Sequence, residues 1–298
     1  VLHAVAAASD SLYVTGYSIA TTDPRDVLVA RVDSASLNTL WSKALHASPE
    51  SDEGWGAAID KEGSMWVAGN ILNESGSQPW AARLKPNGSA CGFPVATGSG
   101  HGRAIISGLG GLIMAGVNNN TGFVVRFDVA SCFPSGACTC SQVWTAVPTQ
   151  VGDFTEFRAL ALHNDTIYAA GFSQVDGEDY EVVVVRIDAT SGQSLGIWKW
   201  NPTAIFDAVH GLDTDGQQLY LSMGINSTIG TAVGKIPVVA ALPLDFDSST
   251  QASWSTQLSF GGVAHDVEAE PNGDGLYVVG KGDSMGWVAR CTKGGECP

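Results

Sequence analysis

Short apolar runs alternate with turn residues along the whole chain, and six of the runs close on glycine. They read YVTG at Tyr13–Gly16, WVAG at Trp66–Gly69, IMAG at Ile113–Gly116, YAAG at Tyr168–Gly171, YLSMG at Tyr220–Gly224 and YVVG at Tyr277–Gly280. Successive starts differ by 53, 47, 55, 52 and 57 residues. A second apolar run follows each: VLVARVD, PWAARLK, FVVRFD, VVVVRID, VVAALPLD and GWVARCT. Five of these carry an arginine near the end (Arg31, Arg83, Arg126, Arg186, Arg290), and the fifth copy, near Ala241, lacks it. A small-residue run precedes each anchor: HAVAAAS, EGWGAAID, HGRAIISG, EFRALALH, FDAVHGLD and HDVEAEP. A run marked by tryptophan often follows, at Trp41, Trp144, Trp198 and Trp254. Gly, Asn and Asp between the runs supply turns, as in Leu212–Tyr220 and Pro271–Tyr277. No segment sustains a 3.6-residue apolar period, so very little helix is expected.

Four short strands in roughly 50 residues, repeated, are the signature of propeller blades. The pattern predicts an all-β fold, a six-bladed β-propeller of four-stranded blades forming a single domain over 1–298, with blades near 1–51, 52–100, 101–152, 153–205, 206–263 and 264–298. The sixth copy reaches Cys297-Pro298 just after its third strand, so the last blade is predicted to be incomplete. A free strand edge is a template for pairing, and the expected partners are other protein chains or copies of this one.

The YVTG strand, the FVAKLD-like strand after it and the inner strand before it resemble the SBBP-type β-propeller repeat over nearly the whole chain. The segments ATSGQSLGIWKW and DSSTQASWSTQL are similar to outer strands of quinoprotein-type repeats. The resemblance implies architecture; propellers host many functions, so it implies no activity.

Composition narrows the partners. Thirty acidic residues against 15 basic ones leave a net charge of −15, which opposes binding to nucleic acid or anionic lipid. No apolar run approaches the length of a membrane span, and no membrane insertion is expected. Val1 opens on a strand-like stretch without a basic flank, so no signal peptide is read and a processed form is expected. The recurring strand-end arginines are expected to pair with acids at the starts of inner strands: Asp52, Asp153, Asp207 and Asp266.

Six cysteines lie at Cys91, Cys132, Cys138, Cys140, Cys291 and Cys297, without zinc-ligand spacing. Cys132–Cys138 and Cys291–Cys297 suit local loop closure, which leaves Cys91 for Cys140; six cysteines allow 15 pairings and spacing alone does not choose. Five sequons, at Asn73, Asn87, Asn119, Asn164 and Asn226, fall in predicted loops or strand ends as candidate glycosylation sites. Even cysteines, sequons and an acidic surface together predict a secreted, extracellular glycoprotein.

Candidate chemistry is sparse. His3, His101, His210 and His265 lie on or beside inner strands, which in a propeller line the central channel; backbone bonding outweighs a metal role for them. Glu53, Glu156, Asp266, Glu268 and Glu270 approach the same region, and paired acids there are what glycoside cleavage requires. No GxSxG, HExxH or Asp-box motif accompanies them, so no catalytic residue, metal or cofactor is assigned. Val175–Glu181 and Asp213–Gly216 resemble the opening of a calcium loop without its closing glutamate. Trp55, on a small-residue strand, is the candidate ligand contact, with His101 and His265 beside it in rank. The favoured expectation is a non-enzymatic structural or adhesive module of a cell-surface or filamentous assembly. The alternative is a carbohydrate-binding or carbohydrate-active propeller.

Overall fold

Period-two apolar runs bury alternate residues on each face of a sheet, and a computed structural model of the chain shows how the runs pair. It describes residues 1–19, 24–46, 48–74, 76–96, 98–132, 140–149, 151–175, 179–203, 206–229, 232–259, 261–282 and 285–297. The protein is an all-β, six-bladed β-propeller in which five blades have four strands and the last has three. Each blade is an antiparallel meander, as short polar turns between consecutive runs require. Among the described residues the only helical turn is a 3-10 turn at Val129–Ser131.

The chain divides into two compact units, Val1–Val147 and Pro148–Pro298, each with three blades. In the first unit the blades are β1 (Leu2–Ala7), β2 (Ser11–Ile19), β3 (Arg25–Asp33) and β4 (Thr39–Leu45); β5 (Glu53–Ile59), β6 (Met65–Asn73), β7 (Gly76–Leu84) and β8 (Ala90–Pro94); and β9 (Gly100–Gly108), β10 (Gly111–Asn118), β11 (Thr121–Asp128) and β12 (Ser141–Ala146). In the second they are β13 (Phe154–His163), β14 (Thr166–Val175), β15 (Asp179–Asp188) and β16 (Ser194–Trp200); β17 (Asp207–Thr214), β18 (Gln218–Ile229), β19 (Ala232–Pro243) and β20 (Trp254–Gln257); and β21 (Val263–Ala269), β22 (Gly275–Lys281) and β23 (Gly286–Thr292). First strands of successive blades lie side by side within a unit: β1, β5 and β9 in one, β13, β17 and β21 in the other.

The core lies between sheets. Tyr13, Val27 and Val29 of the first blade meet Met65, Val67, Trp80 and Leu84 of the second. Tyr168, Val182, Val184 and Trp198 of the fourth meet Leu219, Leu221, Met223 and Val238 of the fifth. Each such side chain contributes about 1.5–3 kcal/mol on burial. Outer-strand tryptophans latch consecutive blades: the indole N–H of Trp41 donates to Pro86 O at 3.1 Å, that of Trp198 to Thr250 O at 2.9 Å and that of Trp254 to Lys293 O at 3.0 Å.

The anchor glycine has a steric cause. Each first strand bulges where it pairs with the anchor strand, so one extra residue stands opposite a single step of its partner. The bulge pushes a carbonyl against the anchor position. A methyl group on Gly116 would lie 2.0 Å from His101 O, and one on Gly171 1.9 Å from Glu156 O; Gly16 and Gly69 meet the same obstacle. In the fifth blade the anchor carries one more residue. Its bulge forms opposite Met223 and Ser222 instead, and the three atoms nearest a methyl group on Gly224 belong to the Val263 side chain, the closest 3.0 Å away.

The strand-end arginines do not pair with Asp52, Asp153, Asp207 or Asp266. Strand three runs antiparallel to strand two and therefore ends beside the turn that opens strand two, at the opposite end from the start of strand one. Arg31 meets Asp10 at 3.3 Å, Arg83 meets Asp60 at 3.0 Å and Glu62 at 2.5 Å, and Arg290 meets Glu270 at 2.9 Å and Asp274 at 3.3 Å. Arg126 and Arg186 donate to the carbonyls of Leu109 and Leu244. The buried Asp52 and Asp207 hold loops instead. Asp52 accepts from the N–H and hydroxyl of Ser48, and Asp207 from those of Thr203 and from Asn226 N–H.

The disulfides also correct one expectation. Cys291 pairs with Cys297, but Cys132 pairs with Cys140 rather than Cys138, so Cys140 is not the partner of Cys91, which is itself disulfide-bonded. Cys138 lies outside the described residues. The 3-10 turn at Val129–Ser131 brings Cys132 back to the start of β12 (Ser131 Oγ accepts from Ser141 N–H at 2.8 Å), and Cys140 directly precedes that strand.

If the bulge is what the anchor glycine serves, Gly116→Ala and Gly171→Ala will each destabilise the protein by about 1–3 kcal/mol in urea unfolding, the cost of overpacking a tight site. Gly224→Ala will cost clearly less. Equal losses at all three positions would refute the assignment.

Candidate functional site at the inner-strand bulges

A bulge re-aims one side chain out of the alternation of its strand. The six residues so displaced are His3, Trp55, Arg103, Arg158, His210 and His265. All six are aromatic or basic.

In the first unit the trio closes on itself. The His3 ring stacks on Trp55 with centroids 4.0 Å apart and planes at 9°. Arg103, from the strand on the other side of β5, lies 4.0 Å from the Trp55 ring centre. Tyr17 meets His3 edge-on at 5.4 Å, and Arg25 covers Tyr17 while pairing with Glu53. Trp55 Nε1 donates to Asn70 at 2.9 Å, and His3 Nδ1 lies 3.0 Å from Gly54 O. Burial holds the His3 imidazole below its usual value. Trp55 is therefore a structural centre whose two neighbouring strands each place a group on its indole. His101 is not among the bulge residues; it sits two positions earlier on β9, paired with Val117, half-buried.

In the second unit the trio is more open. Arg158 pairs with Glu156 at 3.0 Å, lies over Phe172 at 4.6 Å and approaches His210 Nδ1 at 3.4 Å. The His210 and His265 rings are 5.4 Å apart, edge to face. Burial, with Arg158 next to it, pushes His210 down to about 3. Burial and the charges of Lys281 and Lys235 also lower His265. Further along the same strands lie Asp213, Asp266 and Glu268. Desolvation raises all three, Asp266 to about 6, and Asp213 adds repulsion. Asp266 nonetheless keeps an exposed surface.

Three of the five candidate acids are neutralised by arginine: Glu53 by Arg25, Glu156 by Arg158 and Glu270 by Arg290. Of the acidic loops, Asp215 accepts from the N–H groups of Gln217 and Gln218 and from the Tyr220 hydroxyl, and Lys293 lies 3.2 Å away, so this turn is occupied by its own chain. Residues 176–178 of the other loop lie outside the described residues. Among the described residues no group of three or more His, Cys, Asp or Glu could hold a metal ion, and no helix is long and apolar enough to cross a membrane.

Among the sequons, Asn87, Asn119 and Asn164 are exposed and Asn73 is half-buried at the end of β6. Asn226 is not at a strand end: the β18–β19 hairpin is longer than the pattern suggested, and Asn226 is 8% exposed within it. Period-two reading missed Arg103 and Arg158. Their signal was position, since His3, Arg103, Arg158 and His210 each stand ten residues before the anchor's first residue.

The last sheet is the other unusual surface. Leu276, Val278 and Cys291 pack toward the fifth blade, while Tyr277, Val279 and Val288 on the opposite face are 45%, 40% and 69% exposed. Beyond β23 no strand pairs among the described residues; Thr292–Gly295 turns back and Thr256 Oγ1 donates to Gly295 O at 2.7 Å.

No protein-family model matches the chain, and no curated protein matches it. Solved structures do. A protein from Lactobacillus plantarum aligns over 100% of this chain and 83% of its own at 15% identity, with a TM-score of 0.66. Chaetomium thermophilum Sqt1, bound to the N-terminus of the ribosomal protein L10, aligns over 100% of this chain and 76% of its own at 11% identity, with a TM-score of 0.56. At these identities the likeness establishes the fold.

The shifted groups of the second unit oppose each other between pH 4 and 6. His210 titrates lower in the folded state, so it costs stability as pH falls below 6.5; Asp266 titrates higher, so it costs stability as pH rises past 3.8. Asp266→Asn removes the second effect, and the rise of stability from pH 4 to 6 in urea unfolding will become steeper than in the wild type. An unchanged slope would show that Asp266 is not desolvated.

Proposed function

We propose that this chain is a non-enzymatic protein-interaction module, structural or adhesive, whose last blade accepts a fourth β-strand from another protein chain. The observation that carries this is the three-stranded last sheet, with a β23 edge unpaired among the described residues and an apolar face of Tyr277, Val279 and Val288. Three of the other five blades indicate the chemistry of the guest: an extended segment with an aromatic residue opposite the end of strand three. There Trp41 faces Arg31, Trp144 faces Arg126 and Trp254 faces Ala241. Main-chain bonds would give affinity and the aromatic register. Sqt1, which shares the fold, is seen bound to the N-terminus of another protein. The SBBP-type repeat assignment belongs to the same proposal, as does extracellular placement, supported by disulfides and three exposed sequons. A glycan-binding reading has to rest on contacts other than the covered Trp55.

A peptide with the sequence of Thr39–Leu45 serves as a surrogate guest. It will bind and slow hydrogen exchange in β23, and Val288→Lys will abolish both; self-association in light scattering across a dilution series would be the same edge pairing with a second copy. A chain that stays monomeric at every concentration and shows no β23 protection by the peptide sinks the proposal.

Secretion from a eukaryotic host offers a separate check. Glycopeptide mapping of the folded fraction will find glycans at Asn87, Asn119 and Asn164 and none at Asn226. Bare asparagines throughout would remove the glycoprotein reading.

A further inference from the structure

The second unit holds seven lysines and arginines, and five are engaged. Lys199 pairs with Glu181, Arg290 with Glu270, Lys293 with Asp215 and Arg158 with Glu156, while Arg186 donates to Leu244 O. Lys235 and Lys281 are exposed and hold no carboxylate partner among the described residues. Backbone pairing brings these two together: Gly262 N–H donates to Lys235 O at 3.0 Å, and Lys281 is the register partner of Val263. Both therefore converge on the start of β21, next to the bulge residue His265 and across from His210.

We propose that this corner of the second unit binds a dianionic oxyanion, a sulfate or phosphate group held by Lys235 and Lys281 with the His210 and His265 rings beside them. Arg158 stands behind, held in place by Glu156, Phe172 and His210. Its guanidinium faces His210 Nδ1, which leaves the His210 ring proton on Nε2 as a donor. Counting Arg158, Lys235 and Lys281 against Glu156, the corner carries an excess of two positive charges while both imidazoles are neutral. Asp266, next in the strand, turns its carboxyl toward Val267 N–H and Gly211. In a chain of net charge −15, a positive corner whose two lysines hold no carboxylate among the described residues concentrates anions locally; Lys235 Nζ lies 6.0 Å from the Phe206 ring centre. Lysine supplies the compact, freely oriented charge that suits a tetrahedral oxyanion. This site is separate from the β23 edge and does not depend on it.

The test follows the His210 and His265 imidazole resonances by NMR while inorganic sulfate, inorganic phosphate or a monosulfated sugar is added at constant ionic strength, with chloride and the unsulfated sugar as controls. Sulfate and phosphate will give saturable shifts that chloride does not. Tighter binding of the sulfated sugar would identify a glycan ester as the source of the group, and equal binding a free ion. Lys235→Gln and Lys281→Gln will each weaken binding about tenfold, the usual scale for losing one charged hydrogen-bond donor. Chloride shifts equal to those of sulfate, or unchanged affinity in the folded double variant, would overturn the proposal.

Discussion

One close contact recurs in every blade but the fifth: a carbonyl of the first strand pressed against the anchor position of the second. Where the anchor is glycine, as at Gly116 and Gly171, the first strand can carry an extra residue without clashing. The extra residue bends the strand, increases its local twist and points one side chain away from the sheet. The repeated glycine, the curvature of the blade and the six displaced side chains are thus one structural fact seen three ways. The fifth blade supports this by exception. Its anchor is one residue longer, its bulge moves to Met223 and Ser222, and its glycine is released from the carbonyl contact.

Stability is built between sheets rather than within them. A four-stranded meander alone has two apolar faces and cannot bury either, so each blade depends on its neighbour. The latch from an outer-strand tryptophan to the next blade's turn adds a directional bond to that non-directional packing. The last blade receives the latch from Trp254, and among the described residues no fourth strand offers one in turn. Its exposed face therefore keeps the alternation of a buried surface without the burial.

Charge is distributed by the same geometry. Carboxylates and arginines meet at the turns where strand three ends, which consumes Arg31, Arg83 and Arg290. The bulges then decide how the remaining basic residues are used. In the first unit Arg103 covers Trp55 and the cluster is complete within itself. In the second, Arg158 is held by Glu156, the His265 ring beside His210 is exposed, and Lys235 and Lys281 stand near it without a carboxylate partner among the described residues. The two units share a backbone plan and differ in what their bulge residues leave accessible.

Period-two alternation, the spacing of six glycine-closed runs and the turn residues between them were enough to determine the strands, the blade count and the three-stranded end, because these depend on local pattern. Trp55 was also legible as an exception on a small-residue strand, and His265 as a histidine on or beside an inner strand. Tertiary structure decided which side chains meet. A bulge breaks the alternation from which facing is inferred, so Arg103 and Arg158 looked like ordinary strand residues. The arginines found turn acids because antiparallel pairing carries strand ends to one edge of the sheet. Trp55 was covered by His3 and Arg103 from strands about 50 residues away on either side, and adjacency at that distance comes only from stacking one repeat on the next.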